Sequence, residues 1–174
     1  MQRPQSEEGP GEDQVSGRPV AQGLGLPALV ITAGARWCAL PLEHVVETMR
    51  PLPIEPLAGM PPAVLGLAVI RGVPTPVVDL GALLGAASGS PTGRFVTLSL
   101  SDRRVALGVG SVEGLTVLDA ARLSALPPLL NGGSEAAFAL GLRDEQLLFV
   151  LQTVRLLPEQ VWTALALALA ETRS

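Results

Sequence analysis

The chain has no lysine, one cysteine and one histidine among its 174 residues, and only 3% of it is aromatic. Each shortage closes off a class of chemistry. Without lysine there is no P-loop ammonium to reach a nucleotide's phosphates, and the glycines fall at turns rather than in a phosphate-cradling motif. All 12 basic residues are arginine, scattered without a cluster, and the net charge is -4. A nucleic-acid backbone needs a basic stripe, so no nucleic-acid partner is expected. Cys38 stands alone, which rules out an internal disulfide and a cysteine-rich metal site. Its plainest reading is a small buried hydrophobe in a strand. His44 lies six residues further on, so a Cys-His nucleophile pair is conceivable. No third group is in reach to orient it, and the competing reading is a surface or hydrogen-bonded histidine.

Long apolar runs are also missing, although 48% of the chain is hydrophobic and its mean hydropathy is +0.42. The apolar runs are about four to ten residues long, whereas a bilayer span takes roughly 18 to 20. The nearest candidate, Ala164 to Ala170, follows Pro158-Glu159-Gln160 and fits a C-terminal helix packed on the body, with proline and acid in its first turn. No direct membrane insertion is expected. Residues 1–25 hold Gln, Glu, Asp, Ser, Gly and Pro with almost no large apolar side chain, which predicts a disordered acidic tail. That start is unlike a secretory signal, so a cytoplasmic location is expected. Carboxylates are dispersed, and neither a cofactor nor a small-molecule substrate is expected. Asp79 could pass for a catalytic acid at a strand end, but its repeat counterpart is Gln152; hydrogen bonding to backbone at a strand-to-helix turn suits both.

What the chain does have is an internal repeat. Leu29-Val30-Ile31-Thr32 falls on Val96-Thr97-Leu98-Ser99, 67 residues on, followed by Arg36 on Arg103, Ala39-Leu40 on Ala106-Leu107 and Val45 on Val112. In the second copy Val96, Leu98 and Leu100 alternate with Thr97 and Ser99, and Val105, Leu107 and Val109 alternate again after Ser101-Asp102. That period of two predicts a half-buried hairpin. A Pro-rich bridge follows in each copy, Pro51 to Pro62 and then Pro127-Pro128. Beyond it a further hairpin recurs at an offset of 73, with Val77-Val78 on Val150-Leu151 and Leu83-Leu84 on Leu156-Leu157.

The unit is about 60 residues with four or five strands, too small to hide a flat sheet, so a curled barrel is the expected solution. The fold class predicted is all-β with minor helices: two tandem five-stranded barrels over residues 26–158, the first about 28–85 and the second about 94–157, then a short C-terminal helix and tail over 159–174. Pro74 and Pro76 remove ladder donors and favour an edge or a bulge. Glu43 to Glu47 and Asp119 to Leu123 are each expected to make a helical turn, the latter with Asp119 as N-cap.

The repeat doubles as an internal control on charge, because residues that the unit's fold requires tend to recur. Arg71-Gly72 corresponds to Asp144-Glu145, and Glu47 to Gly114. Nothing in the barrel demands Arg71, and an arginine at an exposed hairpin tip suits a partner's carboxylate. A merely solvated charge is the alternative for both Arg71 and Glu47. A high apolar fraction on two small barrels points separately to an exposed apolar interface.

Taken together, the hairpin Leu29 to Leu42, the connector Val45-Val46-Glu47, the bridge ending Pro61-Pro62-Ala63-Val64-Leu65-Gly66, then Val69-Ile70-Arg71-Gly72 and Pro76-Val77-Val78-Asp79-Leu80 resemble the CheW-like adaptor domain of bacterial chemosensory systems. The resemblance covers about residues 27 to 158 and is most specific from Pro61 to Leu80. It implies two SH3-like β-barrels and a non-catalytic coupling protein, linking the cytoplasmic tip of a methyl-accepting chemoreceptor to the regulatory domain of a CheA-type histidine kinase. By position, Arg71 and Gly72 would meet the receptor, and Val45, Glu47 and Met49 the kinase. Recruitment to membrane-associated receptor arrays would follow. Three positions depart from the family pattern: Val69 stands for an asparagine, Gly110 for an aspartate and Gln152 for the late aspartate. Such a divergent member would fit an alternative chemosensory pathway, and a CheW-like scaffold module in another signalling assembly is the second reading.

Overall fold

The computed structural model describes residues 25–86, 91–131 and 135–172. The first copy of the repeat forms β1 (Gly25–Ala33), β2 (Arg36–Pro41), a 3-10 turn at Leu42–His44, β3 (Val45–Met49), β4 (Val64–Ile70), β5 (Val73–Asp79) and the one-turn helix α1 (Leu80–Leu83). The second forms β6 (Arg94–Leu100), β7 (Arg103–Val109), β8 (Ser111–Asp119), a 3-10 turn at Ala120–Arg122, the short β9 (Ser124–Ala125), α2 (Pro128–Asn131), β10 (Ala137–Arg143), β11 (Gln146–Leu151) and a 3-10 turn at Thr153–Arg155. A final helix, α3 (Glu159–Thr172), closes the described chain. The disordered tail expected over 1–25 lies outside the described residues except for Gly25, which opens β1.

Local expectations are met in part. The Asp119 cap is present, with Oδ1 accepting from the Ala121 amide at 3.0 Å. The helical turn expected over Glu43 to Glu47 is confined to Leu42–His44, because from Val45 onward the backbone is drawn into a ladder with Phe95 to Leu98. Asp79 accepts weakly from the Ala82 amide at 3.4 Å. Gln152 makes no such bond, so the shared capping role holds for Asp79 alone.

Two sheets result, ordered β8-β1-β2-β11-β10-β9 and β3-β6-β7-β5-β4. Mapped through the repeat, the two orders are the same apart from the added β9, yet neither sheet is built from one copy. The hairpin β1–β2 of the first copy sits between β8 and β11 of the second, while β6–β7 of the second sits between β3 and β5 of the first. The copies have exchanged their leading hairpins. Tandem repetition does not specify which copy a hairpin joins, since both offer the same hydrophobic pattern and the same strand edges.

The predicted alternation is real, but its second face is not wet. In β7 the large residues Val105, Leu107 and Val109 enter a core shared by both sheets, with Ile31, Leu40, Val96, Leu98 and Leu151. Ala106, between them, enters a smaller core inside the curl of its own sheet with Ala68, Ile70, Val77 and Phe95. The other sheet curls likewise around Ala28, Val30, Ala39, Leu148 and Val150. The half-buried hairpin is therefore buried on both faces: branched residues fill the layer between the sheets, and Ala68 and Ala106 leave room in the curl for Phe95 and Ile70. Even Thr97 is buried, its hydroxyl bonding to the Glu47 carbonyl.

The prolines act differently from a simple edge. β5 is an interior strand, yet its parallel pairing with β7 starts only at Val77, opposite Ala106. Its repeat equivalent β11 pairs with β2 from Leu148, which corresponds to Thr75, two residues earlier. Pro76 lacks the amide donor and truncates the ladder. The resulting splay opens a cleft of about 640 Å³ between β5, β7 and α3. There Arg103 forks onto Glu159, at 3.1 and 2.7 Å, and stacks on Trp162, which pins the first turn of α3.

Because one core takes side chains from both sheets, Ile31 and Leu40 from one and Leu98 and Leu107 from the other, both should unfold in one transition. Ile31→Ala and Leu98→Ala, at equivalent buried positions of the two hairpins, are each expected to cost about 2 to 5 kcal/mol. In urea, Trp37 and Trp162 emission should move together in both variants; separate midpoints would show that the sheets fold independently.

Candidate protein-interaction site

Strand β3 lies at one end of the five-stranded sheet and β4 at the other. The sheet curls far enough for a bond to span its two ends. Arg71 donates from Nε to Glu47 Oε1 at 2.9 Å and from Nη2 to Oε2 at 2.7 Å, a two-pronged contact between the β4–β5 turn and the edge strand. Arg71 stands at φ 50° and Gly72 at φ 78°, a two-residue turn in the left-handed region that matches the strands' twist. At the equivalent turn, Asp144 and Glu145 adopt φ 49° and 67°. The turn shape is thus a property of the unit, and the arginine is not. The opposing position, Glu47, has Gly114 as its counterpart, so the other sheet has no such clasp.

The motif before this turn has a packing cause. Glu55, in the Pro-rich bridge, exchanges two backbone hydrogen bonds with Leu67, at 2.7 and 2.8 Å. Gly66 beside it has φ 142°, and a β-carbon there would overlap the Glu55 carbonyl. A glycine at this point of Val64-Leu65-Gly66 lets the bridge lie flat on β4. Gly110 is crowded by a side chain instead: a β-carbon there would sit 2.7 Å from Thr32 Oγ1.

The residues expected to meet partners are differently placed. Arg71 is 74% exposed and Glu47 25%, so residues expected in separate sites share one. Val45 and Met49 are half-buried and pack against the cores, opposite Leu98 and Phe95 respectively. A β-bulge between Val45 and Glu47 turns Val46 outward, 55% exposed, and Val69 and Val73 flank the Arg71-Gly72 turn at 64% and 39%. The sequence pattern includes Val46 and Val69 but gives none of the three valines a place in a contact surface; the repeat offered a hint, since Val46 corresponds to the exposed Glu113. Together they place an ion pair among exposed apolar side chains, a composition suited to a protein partner.

Other candidates for chemistry point elsewhere. Cys38 is buried and desolvation pushes its thiol up to about 12, so it is not a nucleophile at neutral pH. His44 turns to the second copy, its Nδ1 2.7 Å from Thr153 Oγ1. No group of three or more His, Cys, Asp or Glu side chains suited to a metal ion occurs among the described residues. Among those residues no helix is long and apolar enough to cross a membrane.

The clasp has a titration signature. The Arg71 hydrogen bonds hold Glu47 below its ordinary carboxyl value, and the Glu47 contact raises Arg71. A depressed carboxylate favours the folded state above its unfolded pKa, and that contribution fades as pH falls through the lower folded value. Side-chain carboxyl NMR of Glu47 should show a midpoint below 4.5, the unperturbed value, moving up in Arg71→Ala. An unchanged midpoint in that variant would mean that the pair does not persist in solution.

The sequence matches the CheW-like domain family over residues 27–161. In structure the chain is similar to the scaffolding protein TtCheW from Thermoanaerobacter tengcongensis, with a TM-score of 0.66 and 18% identity over 74% of this chain and 90% of that one. No curated protein matches the sequence at a significant level.

Proposed function

The chain belongs to the CheW-like domain family, and on that premise we propose that it is a non-catalytic adaptor coupling the cytoplasmic tip of a methyl-accepting chemoreceptor to the regulatory domain of a CheA-type histidine kinase. The observation that carries this reading is the exposed Arg71–Glu47 fork set among Val46, Val69 and Val73. Arg71 and the turn it shares with Gly72 meet the receptor. Glu47 meets the kinase, together with the strand that Val45 and Met49 anchor to the core. Both partners then touch the two ends of one curled sheet, so a change at one contact reaches the other through a single ion pair. Val69, an exposed valine where the family has asparagine, favours a receptor with an apolar contact and hence an alternative chemosensory pathway.

Single charge reversals break the clasp as well as any partner contact, so the decisive variant is the double swap. Arg71→Glu is expected to weaken binding of purified receptor cytoplasmic fragments at least tenfold, and Glu47→Arg to weaken binding of the kinase regulatory domain similarly. The combined Glu47→Arg/Arg71→Glu chain rebuilds the pair with reversed polarity and should fold normally while binding neither. Recovery of both partners by the double swap would make the clasp purely structural and remove these residues from the interfaces.

A further inference from the structure

The other sheet has an equivalent free edge at β8, its opposite end is extended by the two-residue β9, and no clasp joins the two. At one end, β8 is a nine-residue edge strand on which Leu115 is 71% and Val117 68% exposed. Their repeat counterparts are Thr48 and Arg50, also exposed. The unit therefore folds with polar residues at these places, and the fold does not explain the leucine and valine. Toward the other end, Leu142 and Leu147 pair directly across β10 and β11, at 73% and 47% exposure. Between the ends lies a cavity of about 200 Å³, lined among others by Thr116, Val117, Asp119, Arg122, Leu142 and Arg143.

Charge in this cavity is lopsided. Asp119 is committed, capping Ala121 with one oxygen and holding the other 3.8 Å from Arg122 Nε. The Arg143 guanidinium lies over the Trp37 ring, 5.0 Å from its centroid, and its Nη1 is buried without a hydrogen-bond partner among the described residues. Stacking fixes the plane of the guanidinium while leaving its fork geometry suited to a carboxylate, and a buried cationic donor left unpaired is costly. In the five-stranded sheet a glutamate and an arginine close the corresponding gap. Here both members of that pair are missing, with Gly114 and Asp144 in their places, and among the described residues Arg143 has no carboxylate of its own.

We propose that this open seam is a docking groove for an extended segment of a partner protein, apolar apart from one Asp or Glu. The segment's apolar side chains cover Leu115, Val117 and Leu142, its backbone runs along the free edge of β8, and its carboxylate enters the cavity to pair with Arg143. The charge complementarity selects an acidic occupant, and the exposed leucines and valine select an otherwise apolar one.

The test is a selection of random displayed heptapeptides on the full-length chain. Binding of the best peptide is then read by Trp37 emission in a Trp162→Phe background. Selected peptides should share one acidic residue among β-branched or aromatic neighbours. Changing that carboxylate to its amide should weaken binding at least tenfold, and Arg143→Met should abolish the difference. Leu115→Thr with Val117→Arg, which copies the other sheet, should fold normally and bind at least tenfold more weakly. The proposal fails if no peptide is selected, if selected peptides lack an acidic residue, or if Arg143→Met still discriminates acid from amide. Peptides matching residues 1–24 would assign the groove to the chain itself. A concentration-dependent dimer in sedimentation, lost in the Leu115/Val117 variant, would assign it to a second copy. Either result overturns the proposal of a foreign partner.

Discussion

Most of the molecule depends on the apolar layer where the exchanged hairpins meet. Ile31 and Leu40 from one hairpin and Leu98 and Leu107 from the other are each at most 1% exposed, and they lie in one core with Leu151, Leu156 and Trp162. This layer lets two small curled sheets, each with only five to seven buried apolar residues inside its own curl, reach the buried volume of one ordinary domain. It also fixes where the free ends of each sheet come to lie. A hairpin held on both faces cannot slide by one residue without exchanging the side chains of its two cores.

The two seams left by that arrangement are chemically unlike. One is bridged by an exposed two-pronged ion pair, and exposed pairs contribute little to stability even with good geometry. Its effect is positional: it holds an edge strand and a turn at a set separation, so a surface distributed over residues 45 to 73 behaves as one site. The other seam lacks both members of that pair and presents apolar side chains instead. A pseudo-symmetric body thus carries two chemically distinct faces at equivalent places, as an adaptor with unlike neighbours requires.

The strands and their grouping into copies were legible because period-two alternation and a repeated turn leave marks at fixed offsets; Gly34 and Ser101, both near φ 62°, fall 67 residues apart. The exchange of hairpins left no such mark, since equivalent hairpins fit either sheet equally well in pattern. Burial on both faces was equally hidden: a Thr or Ala between large residues reads as solvent-facing until the curl of the sheet is known. For the site, Arg71 stood out because its counterpart is Asp144. Its bond to Glu47, 24 residues away, could not be read because it joins opposite ends of a sheet, and proximity there depends on curvature rather than on pairing. The outward turn of Val46 depended on a bulge that hydrophobic pattern alone does not reveal.

The hairpin exchange also sets an order of assembly at the ribosome. The five-stranded sheet draws all its strands from the continuous stretch 45–109 and is complete once β7 has emerged. The hairpin β1–β2 is made first, yet β1 waits for β8, which ends at Asp119, and β2 waits for β11, which ends at Leu151. Nascent chains therefore carry the stretch Leu29-Val30-Ile31 paired to β2 on one side only until β8 has been made. At elongation rates of about 5 to 20 residues per second, the earliest strand made spends several seconds as an open edge, and that interval is when the protein is most exposed to misassociation.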